Sequence, residues 1–254
     1  RFLKGVFDFA YSQADVCIAI GRDMKSVLEK KNVNRSRIVV IPNWSDTDQV
    51  KPVNKIDTNL INKLNIKDKF IFQFAGNLGY AQGLDNIIEA IKLVTNEKIH
   101  FLFIGSGAME NKIKEFKNRN SLNNVTHIGF QNRNEQNDFL NACDVSLVTL
   151  SSGMLGLGVP SKSYNIMASG KPILVIANNK SEISLCVKEF NIGWVTEPNN
   201  PQMLNKLFDK IYEECFIENK KNIMNSRNIA LEHFSKEIIL KKYFNLFNKK
   251  DDIK

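Results

Sequence analysis

The stretch K-F-I-F-Q-F-A-G-N-L-G-Y-A-Q-G-L-D-N-I-I-E-A-I-K-L-V (69–94) decides the fold of this protein. Its first part, 69–75, is a mainly apolar run of strand length, as expected of a strand covered on both faces. The apolar residues of its second part recur at the spacing of one helical face; they are Leu84, Ile87, Ile88, Ile91 and Val94. We therefore predict a buried strand, a glycine turn and an amphipathic helix.

The same alternation extends along most of the chain. Further strand-like runs occupy 15–20, 37–41, 100–104, 125–128, 144–148 and 172–176, and further helix-like segments occupy 108–118 and 134–142. Repeated strand–helix alternation predicts parallel sheets with right-handed crossovers, which is the α/β fold class. The region 202–248 has a helical pattern throughout.

A polar stretch interrupts this alternation and suggests the domain organisation. It follows P-N-W (42–44) and contains a second proline, so 44–58 is predicted to be a linker. Residues 1–43 hold only two strands, too few to close a core alone. We therefore expect 1–43 to be the end of a preceding domain, 59–231 to form a complete domain, and 232–254 to form a final helix. Because the chain does not begin with Met, we expect position 1 to be a truncation.

Composition excludes several classes of protein. Of the 254 residues, 43% are hydrophobic and 24% are charged, as in ordinary globular domains. The sequence contains no apolar run of about 20 residues, the length that crosses a bilayer. The four cysteines are scattered without metal-ligand spacing, which favours a reducing cytoplasm and no metal site.

The net charge of +8 raises the question of an anionic partner. The lysines are dispersed and no basic stripe alternates with stacking aromatics, so we expect no nucleic-acid binding. Anionic ligands or an anionic membrane surface remain compatible with the charge. The segment K-K-Y-F-N-L-F-N-K-K (241–250) mixes lysines and aromatics as surface-bound helices do, which leaves peripheral membrane contact open.

Three glycine-containing segments lie where strands are predicted to end, and the carboxyl ends of parallel strands are where such sheets bind ligands. They are A-G-N-L-G-Y-A-Q-G-L-D (75–85), F-I-G-S-G-A-M-E (103–110) and G-M-L-G-L-G-V-P-S-K-S-Y-N-I-M-A-S-G-K-P-I-L (153–174). In the third, a helix N-terminus, the Ser161 hydroxyl and the Lys162 ammonium would converge on an anion. The alternatives are plain strand–helix turns and a loop capped by Ser161.

The order and spacing of these segments resemble glycosyltransferase family 4. The likeness is carried by G-N-L-G-Y-A-Q-G-L-D-N-I-I-E-A-I, F-I-G-S-G, D-V-S-L-V and G-V-P-S-K-S-Y-N-I-M-A-S-G-K-P-I-L. Within this family, the motifs most resemble those of bacterial enzymes of the colanic-acid and O-antigen type that transfer N-acetylated amino sugars. The resemblance implies a GT-B-like chain with a complete C-terminal Rossmann-like domain and the tail end of an N-terminal Rossmann-like acceptor domain, on which the last helix would pack back.

The resemblance also implies a function. It is the retaining transfer of a sugar from a nucleoside-diphosphate sugar, expected to be a UDP-sugar, to a lipid-linked or oligosaccharide acceptor. No cofactor or metal is implied. The location would be the cytoplasm, with the inner face of the plasma membrane as an alternative. Carried over position by position, the expected donor-binding residues are Gly76, Asn77, Gly79, Gln82, Gly105, Phe130, Gln131, Arg133, Gly158, Val159, Pro160, Ser161, Lys162 and Asn165. Lys162 would also support the transition state.

Several positions depart from the family pattern. Asn77 and Gln82 stand where an Arg and a Lys often hold the phosphates, and Asn165 replaces a Glu that holds the ribose hydroxyls. Asn165 is expected to accept from and donate to those hydroxyls. Because the family's histidine that touches the sugars belongs to the N-terminal domain, the catalytic residue is unknown and the active site is expected to be incomplete here. A degenerate nucleotide-sugar-binding subunit and a UDP-sugar epimerase remain alternatives; His100 and His127 are expected to be core residues.

Overall fold

The computed structural model of the chain describes residues 2–120, 122–217 and 225–251. Its first two strands pair in parallel and form a small separate sheet. The other six form one parallel sheet in the order β5-β4-β3-β6-β7-β8. The strands are β1 (Cys17–Ala19), β2 (Ile38–Val40), β3 (Phe70–Ala75), β4 (Ile99–Ile104), β5 (Val125–Ile128), β6 (Val145–Thr149), β7 (Ile173–Ile176) and β8 (Gly193–Thr196).

Helices connect the strands and cover both faces of the larger sheet. They are α1 (Phe2–Gln13), α2 (Arg22–Lys30), α3 (Asn59–Leu64), α4 (Leu84–Ile91), α5 (Glu110–Arg119), α6 (Gln136–Asn141), α7 (Lys162–Ala168), α8 (Glu182–Glu189), α9 (Pro201–Tyr212), α10 (Ser226–His233) and α11 (Lys236–Asp251). The α/β class predicted from the alternation is therefore confirmed.

Strand β3 shows why the sheet needs helices on both sides. Phe70, Phe72 and Phe74 are fully buried in a cluster with residues of α4, α5 and α9. Ile71 is buried on the opposite face, in a cluster with residues of α3, α6, α7, α8 and α10. Side chains of a strand alternate between its faces, so a strand buried on both faces is mainly apolar, with Gln73 as the one polar residue of β3. Burying each phenylalanine contributes about 2–3 kcal/mol.

The sequence located seven of the eight strands, with ends within about two residues of those observed. The missed strand, β8, is only four residues long, begins with glycine and is partly exposed at the edge of the sheet. It therefore lacks the apolar run that identified the others. The predicted helix 84–94 ends earlier, at Ile91. Part of the predicted helical region 202–248, residues 218–224, lies outside the described residues.

The segment predicted as a linker, 44–58, is bound tightly to the larger domain. Ser45 donates its backbone N–H to the carbonyl of Phe234 at 2.8 Å. Farther along, Lys55 Nζ donates to Asp144 Oδ2 at 2.6 Å, and both side chains are largely buried. The segment contains a short 3₁₀ turn at Lys55–Asp57, but these bonds hold it as part of the folded body.

Arg227 on α10 links the segment 44–58 to helix α7. Its guanidinium donates to the carbonyl oxygens of Val50 at 2.7 Å, Ala168 at 2.9 Å and Thr47 at 2.9 Å. One side chain thus joins α10, the segment 44–58 (the connecting segment) and the end of α7. A planar guanidinium with several donors suits such a junction.

The N-terminal unit, which consists of α1, β1, α2 and β2, contacts the larger domain through α2. Arg22 forms an ion pair with Glu182 at 3.0 Å and another with Glu189 at 2.8 Å, both on α8. Asp23 Oδ2 accepts the backbone N–H of Gly156 at 3.2 Å.

The final helix reaches the same N-terminal unit. Leu246 and Phe247 of α11 line a shallow depression together with Asp15, Val16 and Ile18. Within the described ranges, no helix combines the length and apolarity needed to cross a membrane.

Replacing Arg227 tests the junction. Arg227→Ala leaves three carbonyl groups without their donor and should lower the free energy of unfolding by about 2–3 kcal/mol. Arg227→Lys should recover part of the loss. Urea denaturation measures both, with Arg119→Ala as the control, since the exposed Arg119–Glu115 pair contributes at most about 1 kcal/mol. Equal effects of Arg227→Ala and Arg119→Ala would contradict this role.

Candidate functional site

A cleft of about 350 Å³ opens at the carboxyl ends of β3 and β4. Its floor is the backbone that follows these strands, and its walls come from the end of β5, from α6 and from α7. The lining residues are Ala75, Gly76, Asn77, Ile104, Gly105, Ser106, Phe130, Gln131, Gln136, Phe139, Leu140, Lys162 and Asn165. Ligands of open parallel sheets bind at this edge.

The floor of the cleft depends on two glycine turns that touch each other. Gly76 and Gly105 have φ values of +144° and +129°, which side-chain-bearing residues rarely adopt. A Cβ on Gly105 would lie 2.0 Å from the carbonyl oxygen of Gly76. Only glycine at position 105 allows the ends of β3 and β4 to approach this closely.

Lys162, the first residue of α7, provides the positive group of the cleft. Its Nζ lies 3.3 Å from the centroid of the Phe74 ring, and its aliphatic stem lies close to Gly76. The nitrogen is buried, and no described residue accepts a hydrogen bond from it. A cation over an aromatic face is stabilised by the ring quadrupole, but its hydrogen-bonding capacity stays unused.

Burial lowers the pKa of Lys162 well below its ordinary value, because the charged ammonium loses its hydration. An oxyanion beside Nζ would favour the charged form and offset this cost. The geometry therefore describes a buried cation site that is complete only with an anion.

Phe130 and Gln131 form the outer wall of the cleft. Phe130 is 75% exposed, which leaves its ring free to stack against a ligand. Gln131 donates from Nε2 to the carbonyl oxygens of Gly129 and Phe130 and so holds this turn. Gln136 and Phe139 complete the wall; the sequence did not single them out, since they lie on a short helix with a weak pattern.

Seven of the expected donor-binding residues line the cleft, and seven do not. Those that line it are Gly76, Asn77, Gly105, Phe130, Gln131, Lys162 and Asn165, whereas Gly79, Gln82, Arg133, Gly158, Val159, Pro160 and Ser161 lie outside its lining. Gln82 belongs to a 3₁₀ turn whose carbonyl accepts from Thr149 Oγ1 at 2.6 Å. This turn separates Gly79 from α4, which begins at Leu84.

The glycine-rich loop before α7 faces the N-terminal unit. A Cβ on Gly156 would lie 2.5 Å from Val27, and Val159 lies close to Gly21. Ser161 is exposed and forms no side-chain cap bond. Ser161 therefore lies outside the lining to which Lys162 belongs, and it does not cap the helix through its side chain. That both residues bind one anion stays a prediction.

Asn165, one turn after Lys162, is already engaged on one side. Its Oδ1 accepts the backbone N–H of Asp46 at 3.0 Å. An amide oxygen has two lone pairs, so this bond leaves Asn165 able to accept one further hydrogen bond and to donate from Nδ2. That Asn165 both accepts from and donates to a ribose therefore stays a prediction.

Two of the three histidines belong to the sheet. His100 is buried beside Thr126 Oγ1, at 2.9 Å from Nε2, and burial lowers its pKa to about 4. His127 Nε2 lies 3.0 Å from the carbonyl oxygen of Gly105 and supports the glycine turn. Among the described residues, no group of three or more His, Cys, Asp and Glu is arranged to hold a metal ion.

Comparison with known proteins places the chain in a family. The sequence profile described as "Glycosyl transferases group 1" matches residues 56–228, which include every residue that lines the cleft. The chain belongs to this glycosyltransferase family, so the resemblance drawn from the motifs is confirmed.

Relatives with 40% and 27% identity also match nearly the whole chain. The probable glycosyltransferase WbjE of Pseudomonas aeruginosa is 40% identical over 243 residues, covering 96% of this chain and 60% of that protein. The WcaI glycosyl transferase of Escherichia coli K12, named for colanic acid biosynthesis, is 27% identical over 89% of this chain and 55% of that protein. The chain thus spans somewhat over half the length of these relatives.

Solved structures share the fold at low identity. The Anabaena protein HepE in complex with UDP-glucose matches with a TM-score of 0.80 and 18% identity, over 97% of this chain and 67% of that one. Sucrose-phosphate synthase from Thermosynechococcus elongatus matches with a TM-score of 0.81 and 18% identity, over 99% and 62%. The GT-B-like fold class is therefore confirmed.

The contact between the glycine turns can be tested with Gly105→Ala. The added Cβ would clash with the Gly76 carbonyl in a backbone conformation that disfavours alanine, so the free energy of unfolding should fall by about 2 kcal/mol or more. Gly153→Ala is the matched control, since nothing lies within 4 Å of a Cβ there. Urea denaturation compares the two. Similar stabilities would show that the close contact is dispensable.

The buried state of Lys162 predicts a pH dependence of stability. Its pKa is low in the folded chain and ordinary, near 10.5, in the unfolded chain. Between these two values the unfolded chain binds one more proton, so this residue makes the free energy of unfolding rise with pH. Lys162→Met removes that contribution, so the difference in the free energy of unfolding between this variant and the wild type should shrink as the pH rises from the lowered pKa of Lys162 towards 10.5. Parallel curves in denaturation series would contradict a lowered pKa of Lys162 in the folded chain.

Proposed function

We propose that this protein is a retaining glycosyltransferase that uses a UDP-sugar donor. It transfers the sugar, N-acetylated in our proposal, to a lipid-linked or oligosaccharide acceptor during the synthesis of a cell-surface polysaccharide. Family membership supports the reaction class. The name of the relative WcaI supports the polysaccharide setting, and the UDP-glucose complex of HepE supports the donor.

One observation carries the donor assignment. Lys162 Nζ is buried in the cleft and has no hydrogen-bond partner among the described residues. Leaving a cation in this state is costly, and an oxyanion relieves the cost by charge-assisted hydrogen bonding. The diphosphate of a nucleotide sugar supplies such oxygens, while the exposed Phe130 ring at the cleft mouth offers a stacking surface for the base.

The same lysine suits the chemistry. When the bond between the sugar carbon and the diphosphate breaks, negative charge accumulates on the leaving oxygen. A cation already fixed beside that oxygen stabilises the transition state more than the ground state. We propose no cofactor or divalent metal for this step, since Lys162 supplies positive charge. The location proposed is the cytoplasm, where nucleotide sugars are used, or its membrane surface.

A second candidate is a nucleotide-sugar-binding subunit without catalytic activity. Asn77 and Asn165 line the cleft as neutral side chains where the resemblance implies charged ones, and this favours weaker stabilisation of the diphosphate. The epimerase alternative receives less support, because it needs acidic groups for proton transfer. Among the described residues that line the cleft, none is Asp or Glu.

Calorimetric titration with UDP and UDP-N-acetylglucosamine tests the proposal. Wild-type protein should bind both, and Lys162→Met should weaken UDP binding by about ten- to a hundredfold, the effect of one charge-assisted hydrogen bond. Lys114→Met is the control, because Lys114 pairs with Glu110 on α5, outside the cleft lining.

The outcomes separate the candidates. No binding of either nucleotide by the wild type would contradict both. Binding followed by sugar transfer to an acceptor extract supports the enzyme, whereas binding with no transfer to any fraction supports the inactive subunit.

A further inference from the structure

The helix α7 presents two polar side chains to the cleft. Lys162 and Asn165 are three residues apart, so they lie on the same face of the helix, one turn from each other. Both line the cleft. Lys162 has only N–H donors, and the hydrogen-bonding character of this wall therefore depends on which end of the Asn165 amide faces a ligand.

The neighbouring chain fixes the orientation of that amide. The backbone N–H of Asp46 lies 3.0 Å from Asn165 Oδ1. A backbone N–H can only donate, so the atom that it contacts must be the carbonyl oxygen of the side chain. One of the two lone pairs of Asn165 Oδ1 is thus taken by the segment 44–58, whereas both N–H groups of Nδ2 are without an acceptor among the described residues.

The wall formed by α7 therefore places two unused donor groups side by side, Lys162 Nζ and Asn165 Nδ2. Ionised phosphate oxygens accept hydrogen bonds and do not donate them. They also carry the negative charge that is missing beside Lys162. A ribose hydroxyl, by contrast, is bound best by a carboxylate, which accepts the hydroxyl proton. With one lone pair of Oδ1 held by Asp46, Asn165 keeps more donor than acceptor capacity for a ligand.

We infer that Asn165 is a specificity residue of the donor site: it donates from Nδ2 to a phosphate oxygen of the nucleoside diphosphate, beside Lys162, while Asp46 holds its Oδ1. This inference rests on the proposed function, because it assumes that the cleft binds a nucleoside diphosphate. It makes the connecting segment part of the binding site, although that segment lies outside the cleft.

Asn165→Asp tests the inference, because it keeps the size of the side chain and an acceptor for Asp46 but exchanges the donor for an acceptor. We expect little change in thermal stability and a loss of UDP affinity of about tenfold or more. If position 165 instead accepts from ribose hydroxyls, the carboxylate should bind UDP equally well or more tightly. Calorimetric titration of UDP distinguishes these opposite directions.

The matched control is Asn137→Asp. Asn137 Oδ1 accepts the backbone N–H of Lys51 at 2.8 Å, in the same connecting segment, but Asn137 does not line the cleft. This variant should retain the affinity of the wild type. A similar loss in both variants would mean that disturbance of the segment is responsible and would overturn the inference.

Salt separates a lost hydrogen bond from general repulsion by the new charge. Titrations in about 0.05 M and 0.5 M salt change the screening length severalfold, so a loss that disappears at high salt is repulsion and contradicts a direct contact. A loss that persists supports the contact. Wild-type protein that fails to bind UDP would refute the proposed function, whereas equal binding by wild type and Asn165→Asp would refute this inference alone.

Discussion

A lysine ammonium group that is removed from water needs an anion, a set of acceptors or the loss of its proton. Lys162 has no hydrogen-bond acceptor among the described residues, and its pKa is accordingly depressed. The fold holds the nitrogen over the ring of Phe74, which belongs to the central strand of the larger sheet. The site is therefore destabilised slightly in the free protein, and a ligand that carries negative charge relieves this cost when it binds.

The rest of the structure brings other groups to the same place. The parallel sheet directs the ends of β3 and β4 to one edge, and Gly105 lets these ends touch. Arg227 ties the end of α7 to the connecting segment, and Asp46 in that segment orients Asn165. Residues far apart in sequence thus set the hydrogen-bonding character of a single cleft. The bond between Asp23 and Gly156 places the N-terminal unit beside the loop that precedes α7.

The sequence predicted the part of this arrangement that follows from local pattern. Apolar runs revealed seven strands, because a strand buried on both faces must be apolar, and the glycines at 76 and 105 marked the ends of β3 and β4. Pattern could not show that Ser161 turns outwards while Lys162 turns inwards, since the two differ by one residue on a short helix. The engagement of Asn165 by Asp46 spans 119 residues of sequence, so no local signal records it. Strand β8 was missed because it is only partly buried and therefore lacks a continuous apolar run.

The most direct test of the account is a crystal structure of the protein with UDP. It should show the diphosphate within hydrogen-bond distance of Lys162 Nζ, with the uracil ring near Phe130 at the mouth of the cleft. A nucleotide bound elsewhere on the chain, or one in this cleft with Lys162 still unpartnered above Phe74, would contradict the central claim that this buried cation is the anchor of the donor.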